Sequence, residues 1–235
     1  IRHNHERENP FIPRDFVSKP LAQLSVWLLG CLVVLTTLLT ACDLPQVSAE
    51  NRLFLNLSLD FLGESQLPKT EFQKTPIGGL SGITYDKARD RFYAISDDRS
   101  DFAPARFYTL KFDFDRNNPS APKLQTVKVE GVTLLQGEDG KPYPKGTIDP
   151  EGIALSTFGT LFISSEGVAR EGIPPFVREF DRQTGALKRS LPIPTRYVPD
   201  TKETPDQQQT RGVRDNLGFE ALTLSPAGSG AITSE

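Results

Sequence analysis

The sequence contains no methionine, and it has only two cysteines and two histidines in 235 residues. A complete translation product carries an initiator residue, so we expect the sequence to be part of a longer protein and interpret nothing before about Pro13. His3 and His5 precede the first apolar run; if that run is an export signal they would be removed with it, and the rest of this sequence would have no histidine base. The Gly-x-Ser-x-Gly pattern of a hydrolase nucleophile is also missing, so hydrolysis would need another way to activate water.

Positive charge is not concentrated anywhere in the chain. The formal net charge is -3, and the 27 lysines and arginines are spread along the sequence instead of forming a basic stripe. Nucleic-acid binding requires such a stripe to neutralise phosphates. The composition therefore excludes a nucleic-acid partner and indicates a near-neutral, solvated surface.

One long apolar segment, Leu24–Cys42, follows the basic residues Arg14 and Lys19 and contains no charge. A basic stretch before an apolar run is typical of an export signal. The run ends in Leu39-Thr40-Ala41-Cys42, which resembles a lipobox, so the sequence predicts acylation of the Cys42 thiol. The alternative is an uncleaved membrane helix, because the run approaches the ~20 residues that span a bilayer.

Acylation of Cys42 makes the lipid bilayer the first predicted partner. Two or more acyl chains, each contributing ~0.8 kcal/mol per buried CH₂, hold a soluble domain stably on a membrane. The other cysteine, Cys31, would leave with the leader, so no disulfide is predicted. We therefore expect an exported lipoprotein that faces the periplasm or the cell exterior, with a leader at 1–42, a tether at 43–51 and a folded domain at 52–235.

Three segments of the folded domain repeat one pattern of two apolar runs around a turn: Gly82–Asp97, Gly152–Glu166 and Ala221–Glu235. Their first residues lie 70 and 69 residues apart, and each segment ends in an acidic residue. Two apolar runs around a turn predict a β-hairpin. A hairpin repeated at a regular interval is typical of a radially repeated fold.

Further strand pairs follow the first two hairpins and complete four-stranded sheets. These pairs are Arg106–Asp113 with Gln125–Val129, and Phe176–Phe180 with Leu187–Leu191. The sequence therefore predicts an all-β fold, a partial β-propeller of about three blades, entered by a strand at 53–61. The alternative is a β-sandwich whose hairpins imitate a repeat. The spacing of 70 and 69 residues exceeds the ~40–50 residues of common propeller repeats. The extra residues are predicted to form long loops at Gln136–Ile148 and Pro194–Arg214.

The repeat residues resemble the phytase-like family, described by an esterase-like activity of phytase and found in exported bacterial proteins. The segments that carry the resemblance are Gly78–Ile83, Tyr93–Arg99, Ala105–Tyr108, Asp149–Ile153, Ile163–Gly167 and Asn216–Leu222. Together they extend over most of 53–235. The resemblance implies a β-propeller that continues beyond this sequence, and it favours an enzyme that hydrolyses esters.

Acidic residues end the repeated hairpins or begin their inner strands, and in a propeller such positions converge near the central axis. They are Asp97, Asp98, Glu151, Glu166 and Glu220. Carboxylates in one cavity repel each other unless a cation lies between them, and hard oxygen ligands favour Ca²⁺ or Mg²⁺. We expect these residues to hold a divalent cation, with Ca²⁺ as the first choice. The alternative is that they lie at loop tips in water.

Four arginines flank the acidic motifs: Arg99, Arg106, Arg211 and Arg214. A guanidinium group matches a phosphate or a carboxylate with two parallel hydrogen bonds. These residues are therefore candidates for binding a small anionic ester. The alternative is that they pair with the neighbouring acids and only support the fold.

Three functions remain open on the sequence alone. The first is a metal-dependent phosphoesterase, in which a bound cation activates water. The second is a calcium-dependent esterase or lactonase, and the third is a propeller that binds a ligand or a protein without catalysis. The resemblance does not decide between them, because a fold does not fix a function.

Overall fold

The computed structural model describes residues 59–118, 122–202, 204, 206–225 and 230–234. Within these ranges the regular structure is β-strand, apart from two three-residue 3₁₀-helices at Ala169–Glu171 and Thr195–Tyr197. The predicted all-β fold is confirmed. No helix in the described part of the chain is long and apolar enough to cross a membrane.

Several sequence predictions fall outside the described residues. The leader at 1–42, the lipidation site Cys42 and the tether at 43–51 all lie there. So does most of the strand predicted at 53–61, whose last three residues are described and belong to no strand. The described chain enters its first hairpin only at Glu71.

The strands pair antiparallel and follow chain order within each sheet. A small hairpin of β1 (Glu71–Phe72) and β2 (Thr75–Pro76) comes first. The first four-stranded sheet contains β3 (Leu80–Asp86), β4 (Arg91–Ser96), β5 (Arg106–Asp115) and β6 (Lys123–Leu134). The second contains β7 (Pro150–Leu155), β8 (Leu161–Ser165), β9 (Phe176–Phe180) and β10 (Leu187–Ser190), and a third hairpin contains β11 (Leu222–Leu224) and β12 (Ala231–Thr233).

The three predicted hairpins are present as β3–β4, β7–β8 and β11–β12. The two predicted outer pairs are present as β5–β6 and β9–β10. Two four-stranded sheets followed by the same inner hairpin form a partial propeller-like fold. The strands are rich in aromatic and β-branched residues, as in the Phe92-Tyr93-Ala94-Ile95 stretch of β4, and such residues fit a pleated, half-buried surface.

Two glycines allow neighbouring inner strands to come into contact. A Cβ atom on Gly82 would lie 2.7 Å from the carbonyl oxygen of Glu151, and a Cβ atom on Gly152 would lie 2.7 Å from the carbonyl oxygen of Glu220. Neither place has room for a side chain, so the repeated glycine is a packing requirement between one blade and the next. The hydroxyl of Ser81 donates to the same Glu151 carbonyl at 3.0 Å.

The inner strands are also irregular at matching positions. The register shifts between Leu80 and Gly82 in β3 and between Pro150 and Ile153 in β7. A bulge of this kind changes the direction of the side chains beside it. In β7 the irregularity includes Glu151, one of the predicted site residues.

The largest core lies between the first and second sheets. It is formed by fully buried side chains from both, including Ile95, Phe107, Ile163 and Phe180. Burying one such side chain contributes about 1.5–3 kcal/mol. The two sheets are therefore held together mainly by apolar contact, and this packing fixes the edge at which their acidic residues meet.

Long loops connect β6 to β7 and β10 to β11, as predicted at 136–148 and 194–214. The second loop is fixed by local contacts: the backbone N–H groups of Thr210 and Arg211 donate to the Asp200 carboxylate at 3.1 and 3.3 Å. Hydrogen bonds from the Thr210 hydroxyl and from the backbone lower the pKa of Asp200 to about 2. This loop therefore has its own network of hydrogen bonds.

Candidate functional site

The acidic residues at the ends of the hairpins form backbone hydrogen bonds with residues just before the first strand of the same hairpin. The N–H of Asp97 donates to the carbonyl of Gly79 at 2.8 Å, and the N–H of Glu166 donates to the carbonyl of Asp149 at 3.0 Å. Glu220 stands just before β11, where Glu151 begins the corresponding strand of the second sheet. The repeat thus places acidic side chains from successive units at one edge of the fold, called the acidic edge below.

Glu151 lies among other carboxylates. Burial, followed by the negative charges of Asp149, Asp97 and Glu220, raises the pKa of Glu151 to about 7. A pKa raised in this way reports that ionisation is opposed by desolvation and by like charges. The predicted residues Asp97 and Glu220 therefore lie close enough to Glu151 to oppose its ionisation, although the three come from different repeats.

Glu166 is almost fully enclosed, with only 3% of its surface exposed. Its Oε2 atom is buried and accepts no hydrogen bond. Burial, hydrogen bonding to the Glu220 carboxyl and the charge of Asp149 raise the pKa of Glu166 to about 7. A buried carboxylate oxygen without a hydrogen-bond donor costs free energy. Binding a proton or a cation at Glu166 would remove this cost.

Asp149 belongs to the same group and was not among the residues predicted from the sequence. It is 2% exposed, and its carboxylate forms an ion pair with Arg99. Burial raises the pKa of Asp149 even though Arg99 opposes the shift. The sequence signal was its place in Asp149-Pro-Glu151, at the position where the other repeats have Gly79 and Gly218.

Arg99 links the repeats. Besides its ion pair with Asp149, its guanidinium donates to the side-chain oxygen of Asn216 at 3.1 Å. The residue thus lies at the predicted site, but one of its nitrogens is already shared between a carboxylate and an amide.

Asp98 and Arg106 form a buried ion pair, 2.7 Å between Oδ2 and a guanidinium nitrogen. The Asp98 carboxylate also accepts the backbone N–H groups of residues 101, 102 and 103. Arg106, 1% exposed, donates further to the hydroxyl of Tyr108 at 2.7 Å and to the carbonyl of Pro76 at 2.9 Å. Both side chains therefore have their hydrogen-bond partners within the fold. This agrees with the alternative in which the arginine pairs with a neighbouring acid and supports the fold.

The structure does not bring Arg211 and Arg214 to the acidic group. Both lie exposed in the loop before β11, and the Arg214 guanidinium donates to the carbonyl of Gln209 at 2.7 Å. Neither lines the two cavities beside the acids. Sequence proximity to the motifs therefore did not predict spatial proximity.

Two cavities meet at Glu151. One, of about 550 Å³, is lined by residues that include Gly78, Asp97, Arg99, Phe102, Asp149 and Glu151. The other, of about 350 Å³, is lined by Glu151, Glu220 and the inner strands around Gly82 and Gly152. Gly79 leaves space for the carboxylate of Asp97, because a Cβ atom on Gly79 would lie 1.8 Å from Oδ1 of Asp97. Asp97, Asp149, Glu151 and Glu220 therefore line space that is large enough for a small ligand, whereas Glu166 lines neither cavity.

The carboxyl groups are not arranged around a common point. Among the residues that the structure describes, no three His, Cys, Asp or Glu side chains have the spacing that holds a metal ion. Their chemistry nevertheless suits a hard cation, since they are oxygen donors and Glu166 Oε2 has no hydrogen-bond partner. Binding a cation would require these side chains to move closer together.

Comparison with known proteins gives one match. The model of the family Phytase-like, described as "Esterase-like activity of phytase", matches residues 75–234. This range includes both four-stranded sheets and the third hairpin. No curated protein and no solved structure matches the chain.

Proposed function

We propose that this chain, which belongs to the Phytase-like family, hydrolyses ester bonds at its acidic edge with the help of a divalent cation. The family description suggests a hydrolase of the esterase or phosphatase type. Three finer proposals are added to it, and each rests on its own observation. They concern the cation, the anionic character of the ester and the attachment to a membrane.

The observation that carries the proposal is the enclosed Glu166 beside Glu220, Glu151 and Asp149. Burial and neighbouring carboxylates raise the pKa of Glu151 and of Glu166 to about 7, so these acids do not all ionise at neutral pH without a counter-charge. A divalent cation supplies that charge, and Ca²⁺ suits the group better than Mg²⁺ because it tolerates irregular sets of six to eight oxygens. Glu151, Glu166 and Glu220 would hold it, with Asp97 across the cavity.

A bound divalent cation would supply Lewis-acid polarisation of the ester and activation of water. The chain's own residues would orient the substrate. Arg99, fixed by Asp149 and Asn216, keeps one cationic group at the cavity wall. Because Arg99 and Arg106 are both paired with carboxylates, the counter-charge for an anionic ester would come mainly from the cation.

A panel of ester substrates assayed with calcium and with chelator tests the proposal. We expect turnover of phosphate monoesters or carboxylic esters in calcium and at least a tenfold loss of kcat/KM in chelator, restored by adding calcium back. Glu151→Gln should reduce kcat/KM by tenfold or more, since it removes one oxygen ligand and one charge. Glu130→Gln, in β6 and paired with Arg91, is the matched control and should leave turnover unchanged.

The panel also separates the alternatives. Turnover of lactones with no turnover of phosphate esters would favour the lactonase, and turnover unaffected by chelator would contradict the cation. The absence of turnover for every ester would leave a propeller that only binds its ligand.

We also propose that Cys42 is acylated and anchors the protein to a membrane. The proposal rests on the apolar run and the Leu39-Thr40-Ala41-Cys42 ending. Cys42→Ser should move the protein from the membrane fraction to the soluble fraction or leave an uncleaved precursor. Fractionation and mass equal to those of the wild type would contradict it.

A further inference from the structure

An exposed aromatic ring stands at the wall of the larger cavity. Phe102 is 86% exposed and lines the 550 Å³ cavity together with Gly78, Asp97 and Arg99. A large apolar side chain in water gains free energy when a ligand covers it, at about 25 cal/mol per Å² of apolar surface. Its place beside the proposed site makes it a candidate for substrate contact.

The loop that carries Phe102 has a defined shape. Its own N–H donates to Oδ1 of Asp98 at 3.2 Å, and the N–H of Ala103 donates to Oδ2 at 3.0 Å. Asp98 is held in turn by the buried Arg106. The N–H of Ala105 donates to the hydroxyl of Ser100 at 3.0 Å. The backbone is therefore fixed on both sides of Phe102, and the ring is displayed by a rigid loop.

The wall of the same cavity is open at Gly78. A Cβ atom placed on Gly78 would meet no other atom within 4 Å, and its φ is not in the left-handed region. A side chain introduced there would project into empty space without straining the backbone. The position therefore offers a way to fill the cavity while leaving the fold intact.

The charge of the cavity wall limits how many anionic groups a ligand can carry. Each basic residue of the wall is paired with an acid, Arg106 with Asp98 and Arg99 with Asp149. Asp97 and Glu151 have no such partner among the described ion pairs. One divalent cation would be balanced by these two carboxylates alone, so each phosphate of a ligand adds negative charge that no group of the wall offsets, and a ligand with several phosphates is the least favourable.

We infer that the cavity binds an ester with an apolar, aromatic-sized organic part that covers Phe102 and Gly78 and with at most one anionic group, and not a substrate with several phosphates. The inference rests on the proposed function in that it names the class of ester. It concerns binding, however, and can be tested without turnover.

Calorimetric titration of the protein in calcium buffer, with ligands that are not hydrolysed, provides the test. The probes are benzylphosphonate, methylphosphonate and inositol hexasulfate. We expect benzylphosphonate to bind at least tenfold more tightly than either of the others. Phe102→Ala should weaken its binding by about five- to twentyfold, and Gly78→Val by tenfold or more. Phe158→Ala, which removes an equally exposed phenylalanine (88%) between β7 and β8, should have no effect.

Equal binding of benzyl- and methylphosphonate, or no effect of Phe102→Ala, would overturn the apolar contact. Tightest binding of inositol hexasulfate would overturn the limit on anionic groups. If benzylphosphonate binds as expected but no ester is hydrolysed, the proposed function fails while the ligand class stands. If benzyl phosphate is hydrolysed with the same KM by wild type and Phe102→Ala, the ligand class fails while the proposed function stands.

Discussion

With calcium chelated at pH 8, Glu166→Gln should raise the free energy of unfolding by about 1–3 kcal/mol. Glu166 is buried, its Oε2 accepts no hydrogen bond, and burial together with Glu220 and Asp149 raises its pKa from 4.5 to about 7. A carboxyl whose pKa is higher in the folded state contributes its full stability below pH 4.5 and loses it as the pH rises through 7. Glutamine imitates the protonated form at every pH and so avoids this loss.

Urea unfolding at pH 8 and at pH 5, in chelator, measures the effect. The gain from Glu166→Gln should shrink at pH 5, where the wild-type carboxyl is mostly protonated in the folded state. Glu130→Gln serves as the control, because Glu130 pairs with Arg91 away from the acidic edge, and its effect should stay within about 0.5 kcal/mol. A Glu166→Gln protein that is less stable than the wild type at pH 8 would contradict this account of the buried carboxyl.

Arg106→Leu should lower the free energy of unfolding by about 3–5 kcal/mol, because it leaves the buried Asp98 carboxylate without its counter-charge. The guanidinium also satisfies the carbonyl of Pro76 and the hydroxyl of Tyr108. Desolvation opposes ionisation of Asp98, but hydrogen bonds from Arg106 and from three backbone N–H groups outweigh it and hold its pKa below the ordinary value. Arg106→Lys keeps the charge and loses the other contacts, so its effect should be intermediate.

Thermal and urea unfolding of both variants check this prediction. Lys128→Ala is the matched control, because it breaks an ion pair with Asp113 that is largely exposed, and it should cost no more than about 1 kcal/mol. If Arg106→Leu does not fold, Arg106→Lys still measures the contribution. Wild-type stability of Arg106→Leu combined with loss of ester binding would instead make Arg106 a substrate-binding residue.

The blades could be predicted from the sequence because their signal is local and repeated. Apolar runs around a turn define each hairpin, and the glycine at 82 and 152 recurs because the next blade leaves no room for a side chain at either place. The edge at which Asp97, Glu151, Glu166 and Glu220 gather follows from the same repeat. No other signal in the sequence would have joined residues so far apart.

Side-chain partners could not be predicted in the same way. Asp97 and Asp98 are adjacent in sequence and both line the larger cavity, yet Asp97 takes part in no described ion pair, whereas Asp98 is buried against Arg106, eight positions along the chain. Such a choice depends on which way each side chain points at the end of β4. Asp149 was missed because its partner, Arg99, comes from the preceding repeat, and Arg211 and Arg214 lie in a loop whose path no local pattern reveals.

Calcium titration calorimetry of the wild type at pH 7 tests most directly whether the repeats bring their acids together around a cation. We expect saturable binding accompanied by proton release, since the raised pKa values of Glu151 and Glu166 mean that protons compete with the cation. Glu151→Gln and Glu166→Gln should each weaken binding by tenfold or more, and Glu130→Gln should leave it unchanged. Equal calcium affinity in all four proteins, or no binding to the wild type, would contradict the account.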